Sequence, residues 1–217
     1  MQKPWVQIAI DVRDVEIGKQ LAKMAVQAGA DWVEAGTPLI VWESIKAIGS
    51  LAEVCRGVPV LADFKAQDGV YKYFMEASRQ GAKLAVVLGV VADGSILEAV
   101  RAGKDSGIKV VADMFSVKLE NVVKRARELE TLGVDYLMLH LGFDESKYDK
   151  SRLPFDGLKE VVEAVKIPVG VGTFAVEDAI QAVKLGASWV IQGEPLLSAP
   201  DALEKLTEFV KAVKSAV

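Results

Sequence analysis

The sequence predicts an α/β fold, a single (β/α)8 barrel over residues 1–217. Three observations carry that reading. A short unit recurs as Gly29-Ala30-Asp31-Trp32-Val33, Gly81-Ala82-Lys83-Leu84-Ala85, Gly133-Val134-Asp135-Tyr136-Leu137 and Gly186-Ala187-Ser188-Trp189-Val190, roughly 50 residues apart. A second series lies between these units: Gly57-Val58-Pro59-Val60, Gly107-Ile108-Lys109-Val110 and Lys166-Ile167-Pro168-Val169. Each apolar run is followed by a segment of helical periodicity. A glycine just past a helix takes the left-handed conformation that ends it. A near-continuous apolar, β-branched run then reads as a strand buried on both faces, as parallel sheets require.

Taken in order, the strand-like runs are 5–11, 31–35, 58–63, 83–88, 108–113, 134–140, 167–171 and 188–192. After the first comes a helix over Val15 to Ala28, with Ile17, Leu21, Met24, Ala25 and Ala28 on one stripe. The second leads into a helical segment that carries Cys55 near its end. The third and fourth each lead into a further helical segment. The fifth precedes a helix over Leu119 to Leu132, and the seventh one over Ala175 to Leu185. The sixth is followed by the longest connection, Gly142 to Pro154, which is rich in charge and is expected to act as a mobile lid. The eighth opens onto the last helical segment. Eight units of roughly 25–30 residues, with right-handed crossovers, place every helix outside a closed barrel. The rival is an open doubly wound sheet, which needs no eightfold count. Trp32 and Trp189 fall inside strand runs and are expected in the core, whereas the pattern assigns neither Trp5 nor Trp42.

Composition excludes several classes. With 51% hydrophobic residues in 217, the chain is not disordered and can bury a sizeable core. One cysteine, Cys55, rules out an intramolecular disulfide and a thiolate-rich zinc site, and reads as a small buried hydrophobe. The 26 basic and 30 acidic residues give a net charge of −4, with no electrostatic footprint for nucleic acid. No run of apolar residues is long enough for a membrane span. Asp11 interrupts the first apolar run after Met1-Gln2-Lys3-Pro4-Trp5, so no signal peptide is expected and the cytoplasm is the expected location.

In such a barrel the chemistry sits at the C-terminal ends of the strands. The first run ends in Asp11, and the second carries Glu34. The third ends in Asp63, with Lys65 and Asp68 beyond, the fifth in Asp113 and the sixth in His140. The seventh ends in Gly172-Thr173 and the eighth in Gly193-Glu194, while the fourth runs out at Leu88-Gly89 without charge. Carboxylates gathered at a barrel mouth are costly unless used. Glu34 and Asp63, on neighbouring strands, suit a hard cation such as Mg2+, which takes one or two carboxylates plus waters and substrate oxygens. The same pair is open to a plainer reading, as caps or ion-pair partners. Lys65, among Asp11, Asp63 and Asp68, is expected to stay protonated and to stabilise a developing enediolate or carbanion. A lone histidine after a strand is ordinarily a satisfied core residue. His140, in step with the carboxylates, is a candidate general acid or base.

The segment Leu61-Ala62-Asp63-Phe64-Lys65-Ala66-Gln67-Asp68-Gly69 carries an Asp-x-Lys-x-x-Asp pattern. It resembles the signature of the orotidine monophosphate decarboxylase superfamily, placed after the third strand of a (β/α)8 pattern. Val33-Glu34-Ala35-Gly36-Thr37-Pro38-Leu39 is similar to the corresponding stretch of the 3-hexulose-6-phosphate synthase family and, more loosely, of the 3-keto-L-gulonate-6-phosphate decarboxylases. Leu88-Gly89-Val90, Ala112-Asp113-Met114 and Leu139-His140-Leu141-Gly142-Phe143-Asp144 extend the resemblance over nearly the whole chain. Glu34 stands where metal-free orotidine monophosphate decarboxylases carry a lysine. Phe143 stands where the gulonate decarboxylases carry an arginine.

The resemblance implies a Mg2+-dependent aldehyde-lyase joining formaldehyde to ribulose 5-phosphate, or the reverse, through an enediolate. Glu34 and Asp63 would ligate the metal and His140 would shuttle a proton. Lys65, Asp113 and Asp11 would position and stabilise the intermediate. Asp68 would complete the site of a second subunit, making a homodimer. Family phosphate sites use Gly-Gly pairs after the seventh and eighth strands, whose N–H groups approach the phosphate. Here they read Gly172-Thr173 and Gly193-Glu194, followed by Pro195, which has no N–H. Thr173 is expected to offer a hydroxyl and still expose its N–H. Glu194 must turn outward, or else the substrate differs at that end. The alternatives are a related decarboxylase or epimerase, or a divergent barrel acting on another substrate or serving as a non-catalytic binding subunit.

Overall fold

The recurring Gly-x-x units set the frame. Gly29, Gly81, Gly133 and Gly186 all take left-handed φ values, 91°, 96°, 99° and 102°. Two residues on, the N–H of Asp31, Lys83, Asp135 and Ser188 donates to the carbonyl of Val6, Val60, Val110 and Val169, at 2.7–3.0 Å. Each repeat therefore ends a helix and starts an even-numbered strand on its odd-numbered neighbour. Asp31 and Asp135 reinforce the join, their carboxylates accepting from the N–H of Val6 and Val110.

The computed structural model describes residues 3–216, so Met1, Gln2 and Val217 lie outside it, and with them the start of the segment read for targeting. Eight parallel strands close in sequence order, and β8 returns to pair with β1. They are β1 (Trp5–Ile10), β2 (Trp32–Ala35), β3 (Val60–Ala66), β4 (Leu84–Leu88), β5 (Lys109–Asp113), β6 (Tyr136–Leu139), β7 (Val169–Gly172) and β8 (Trp189–Gln192). Ten α-helices among the described residues surround them. These are α1 (Val15–Ala28), α2 (Thr37–Glu43), α3 (Lys46–Cys55), α4 (Val70–Arg79), α5 (Asp93–Ser106), α6 (Val122–Leu132), α7 (Phe143–Tyr148), α8 (Leu158–Ala164), α9 (Val176–Lys184) and α10 (Ala202–Lys214). No helix among the described residues is long and apolar enough to cross a membrane. The open sheet is excluded, and the (β/α)8 barrel stands.

Several boundaries differ from the sequence reading. Asp11 and His140 lie one residue past their strands. The third strand does not end at Asp63 but continues to Ala66. Its register with β4 shifts between Ala62 and Ala66, and Lys65 sits at φ 45°. The irregularity comes from the chemistry carried there, because the Lys65 N–H turns back to Asp63 Oδ1 at 3.1 Å. The segment after β2 breaks into two helices at Ser44, whose φ is 69°. The helix expected from Leu119 starts at Val122, after one 3-10 turn over Leu119–Asn121. The helix expected over Ala175 to Leu185 is flanked by those residues as caps. The connection Gly142 to Pro154 contains α7. On α1 the buried stripe is Gly18, Leu21, Ala22, Ala25 and Ala28, so Ile17 lies at its edge, about 75° from its centre, and is 51% exposed.

Two apolar bodies result. The larger lies between the sheet and the helices and includes Cys55, which is fully buried and whose thiol is pushed up to about 11 by burial. The smaller fills the barrel with Ala9, Trp32, Leu61, Leu84, Val86, Val111, Met138, Trp189 and Ile191. At its floor Trp32 packs against Trp5, Tyr136 and Trp189, with ring centroids 5.3–5.4 Å apart. Trp5 is thereby placed as a partly buried member of this layer, whereas Trp42 is 58% exposed under the guanidinium of Arg13. With its floor plugged by aromatic rings, the barrel opens at the opposite, C-terminal end.

Candidate active site

Alternation along β1 turns Gln7 and Ala9 inward below Asp11, and across the register Ala9 pairs with Glu34 of β2. Gly36 follows β2, and a Cβ there would overlap Asp11 Oδ1. The backbone can pass the carboxylate only as glycine. Thr37, at the start of α2, donates its hydroxyl to Asp63 Oδ2 at 3.0 Å and to the Asp63 carbonyl at 3.1 Å. Lys65 Nζ makes a short ion pair with the same Oδ2 and lies 3.4 Å from Thr37 Oγ1. Asp63 is buried, so β3 delivers one fixed carboxylate and one partly exposed ammonium into the mouth.

Across the barrel, Asp113 is fully buried at the end of β5. Its Oδ1 accepts the Phe115 N–H at 2.9 Å, and its Oδ2 holds His140 Nδ1 at 2.9 Å. A carboxylate only accepts, so Nδ1 carries the proton and Nε2 is left for other partners. The Phe115 ring packs on the imidazole at 5.4 Å, and Gly142 lies against that ring. A cavity of about 30 Å3 opens beside His140, walled by Met114, Leu141, Arg152 and Leu153.

The charges act on one another. Burial and the charges of Asp63 and Asp11 hold Glu34 well above the usual carboxylate range, against the pull of Lys65 and Gln7. Solvent reaches Asp11 from the open mouth, yet protein crowds its carboxylate from the sides. That desolvation, with the charge of Asp63, raises its pKa. Burial alone would make Lys65 easier to deprotonate, but Asp63, Asp113 and Glu34 outweigh it and hold the ammonium charged. Burial likewise favours neutral His140, while the charge and hydrogen bond of Asp113 prevail and raise its pKa.

Glu34 and Asp63 are two hard oxygen donors on paired strands, in a site with more negative charge than Lys65 offsets. Among the described residues no cluster of three or more His, Cys, Asp or Glu forms an all-protein cage. A donor set of two carboxylates fits Mg2+, which usually keeps waters and substrate oxygens for its remaining positions.

The other predicted residues separate. Gly172 faces His140, whose Cδ2 lies 3.7 Å from a Cβ built on the glycine, and Gly193 lies 3.6 Å from Asp11 Oδ2 by the same measure. Thr173 corrects the sequence expectation. Its N–H and hydroxyl both donate to the Ile191 carbonyl, at 2.8 and 2.9 Å, because the side chain is buried between β7 and β8. Neither donor is left for a phosphate. Glu194 is exposed, with Oε2 accepting the Ser198 N–H at 3.2 Å, while Gln192 Nε2 holds its carbonyl. Asp68 lies exposed between β3 and α4, outside the cluster of its own chain. Sequence reasoning missed Gln7, Thr37, Phe115 and Gln192. Only Gln7 left a signal, as a polar residue in an apolar strand in step with Asp11.

A family model described as Orotidine 5'-phosphate decarboxylase / HUMPS family matches residues 4–209. The chain belongs to this family. A 3-hexulose-6-phosphate synthase of Staphylococcus epidermidis is 35% identical over 161 residues, 74% of each chain. One of Bacillus subtilis is 30% identical over 209 residues, 96% of this chain and 98% of that protein. The crystal structure of 3-hexulose-6-phosphate synthase from Salmonella typhimurium superposes with a TM-score of 0.89 at 28% identity, covering 98% of both chains. These relatives are lyases, and membership of the Orotidine 5'-phosphate decarboxylase / HUMPS family places this chain among the lyases.

Proposed function

We propose that the chain is a Mg2+-dependent aldehyde-lyase of the 3-hexulose-6-phosphate synthase type, joining formaldehyde to ribulose 5-phosphate or running the reverse cleavage. The observation that carries this reading is the pairing, in one mouth, of the Glu34–Asp63–Lys65 cluster with the Asp113–His140 couple. Glu34 and Asp63 would hold the metal, which when bound supplies positive charge to adjacent ketose oxygens and so acidifies the C1 proton. His140 Nε2 accepts that proton, since Nδ1 is committed to Asp113. The C1–H electron pair passes into the C1–C2 bond, giving an enediolate. Lys65, kept charged by its carboxylate neighbours, stabilises the new oxyanion. C1 then bonds to the formaldehyde carbon, and the aldehyde oxygen takes the proton to become a hydroxyl. Asp11 orients the sugar hydroxyls. Gly172 and Gly193 border the end where the phosphate would lie, and Glu194, tied to Ser198, leaves room for it.

The active unit in this reading is a homodimer, with Asp68 reaching the partner's site. Its exposure, with that of Val41 and Trp42 on α2 and Tyr73 on α4, supports that assembly. The test is formaldehyde consumption with ribulose 5-phosphate and Mg2+. Consumption that needs Mg2+ and disappears in Asp63→Ala is expected. No consumption by either the native protein or Glu194→Gly overturns the reading. Thr173, with both donors turned inward, favours one variant of it, the same chemistry on a ketose with a different distal group. Unphosphorylated ribulose in the same assay separates the two.

A further inference from the structure

Gln7 is fully buried inside the barrel, one layer below the carboxylates. Its Nε2 donates to Glu34 Oε2 at 2.5 Å, while its Oε1 is buried with no hydrogen-bond partner. The only other such atom among the described residues is Trp189 Nε1, on the adjacent strand. The amide is thus spent on Glu34, at the expense of an unpaired acceptor in an apolar interior. An apolar side chain of similar length would fill the same space without that penalty, between Trp32 and Ile191 in register. The bond also fixes which carboxylate oxygen is free. Oε2 is held from below, and Oε1 of Glu34 has no hydrogen bond among the described residues and stays open to the mouth.

We infer that Gln7 is a positioning residue for cation binding, which clamps the Glu34 carboxylate from beneath and presents its other oxygen to the metal. This inference rests on the metal assignment of the proposed function. Its own signature is an opposite movement of two quantities. Removing the amide frees Glu34 to rotate and weakens metal binding, while in the metal-free fold the lost donor to Glu34 Oε2 is offset by removal of the orphaned Gln7 Oε1.

Mn2+ binding to the metal-free protein, followed by the electron paramagnetic resonance signal of free Mn2+, tests it without turnover. Outer partners of metal ligands typically contribute 10–100-fold in affinity. Gln7→Met is expected to weaken Mn2+ binding by at least about tenfold, with the metal-free Tm unchanged or raised. Gln7→Leu serves as a second variant of different shape. In a Glu34→Gln background the Gln7→Met change should have no further effect on Mn2+, because the residue acts through Glu34. Unchanged Mn2+ affinity in both Gln7 variants, or a loss matched by a fall in metal-free Tm, overturns the inference and leaves the metal assignment standing. Failure of the native protein to bind Mn2+ overturns both.

Discussion

The Asp113–His140 couple shows how one buried residue sets the protonation of another. Burial favours the neutral ring, but Asp113 supplies a charge and a hydrogen bond that raise the His140 pKa above its ordinary 6.5. Proton abstraction needs the neutral ring, so activity is expected to climb as pH rises through a value above 6.5. Asp113→Asn removes the charge, leaves burial in place and moves this limb to lower pH. It also loosens the ring, and a fall in kcat of about a hundredfold is expected. A pH–rate profile of the two proteins checks both statements, and an unmoved limb would show that another group titrates. The same shift bears on stability. A raised histidine pKa contributes stability that is complete below the unfolded value and is lost as pH rises through the folded one. The titratable residues of this site were legible in the sequence because each lies in the C-terminal half of an apolar strand or just past its end. Thr37 was not, since its role depends on a contact with Asp63 across two strands. Thr173 was misread for the same reason, because only the approach of β8 reveals that its donors are taken.

At the level of elements, the repeated glycines made the strand count legible, because each marks a helix end by local conformation alone. The register shift in β3 and the break at Ser44 were not legible, since both answer to neighbours distant in sequence. Gly170 carries a packing constraint of the same kind. A Cβ on it would overlap the Trp189 indole, which fills the barrel floor. Gly170→Ala is therefore expected to destabilise the fold by about 1–3 kcal/mol through overpacking, read by urea unfolding. Gly142→Ala separates packing from chemistry. Its methyl would meet the Phe115 ring, which rests on His140. Gly142 lies outside the barrel floor, past the end of β6, and the atoms nearest its methyl would all be side-chain atoms of Phe115. A tenfold or larger loss of kcat with a change in stability below about 1 kcal/mol is the expected outcome. Equal losses in both measurements would assign Gly142 to structure alone. The segment that follows, with α7 and the Arg152 pairs to Glu145 and Asp156, covers the cavity beside His140. If it acts as a lid, Arg152→Ala opens it, and protease cleavage within 142–154 becomes faster and is slowed by substrate.

At the scale of the whole molecule, a chain of 217 residues leaves little beyond the eight units, short of the roughly 250 that such barrels typically use. In the proposed dimer the exposed side chains of α2 and α4 would meet a second chain. Val41 and Trp42 are 68% and 58% exposed on α2, Tyr73 is 49% exposed on α4, and Asp68 lies between β3 and α4. Exposed large apolar side chains and an exposed carboxylate fit the proposed symmetric interface, in which each subunit would lend Asp68 to the other. Mixing two inactive variants tests that arrangement. In a dimer of Asp68→Ala with Lys65→Ala, one site keeps its own Lys65 and receives Asp68 from the second chain, while the other site lacks both. Random assortment makes half of the dimers mixed, each with one intact site of two, so refolding the variants together should restore roughly a quarter of native activity. If Asp68 serves its own chain, the mixture stays as inactive as its components at every concentration. Trp42→Arg, on exposed α2, should lower the recovered activity and shift gel-filtration elution towards the monomer, because a buried unpaired charge opposes the interface. Unchanged elution for that variant would move the interface elsewhere on the barrel.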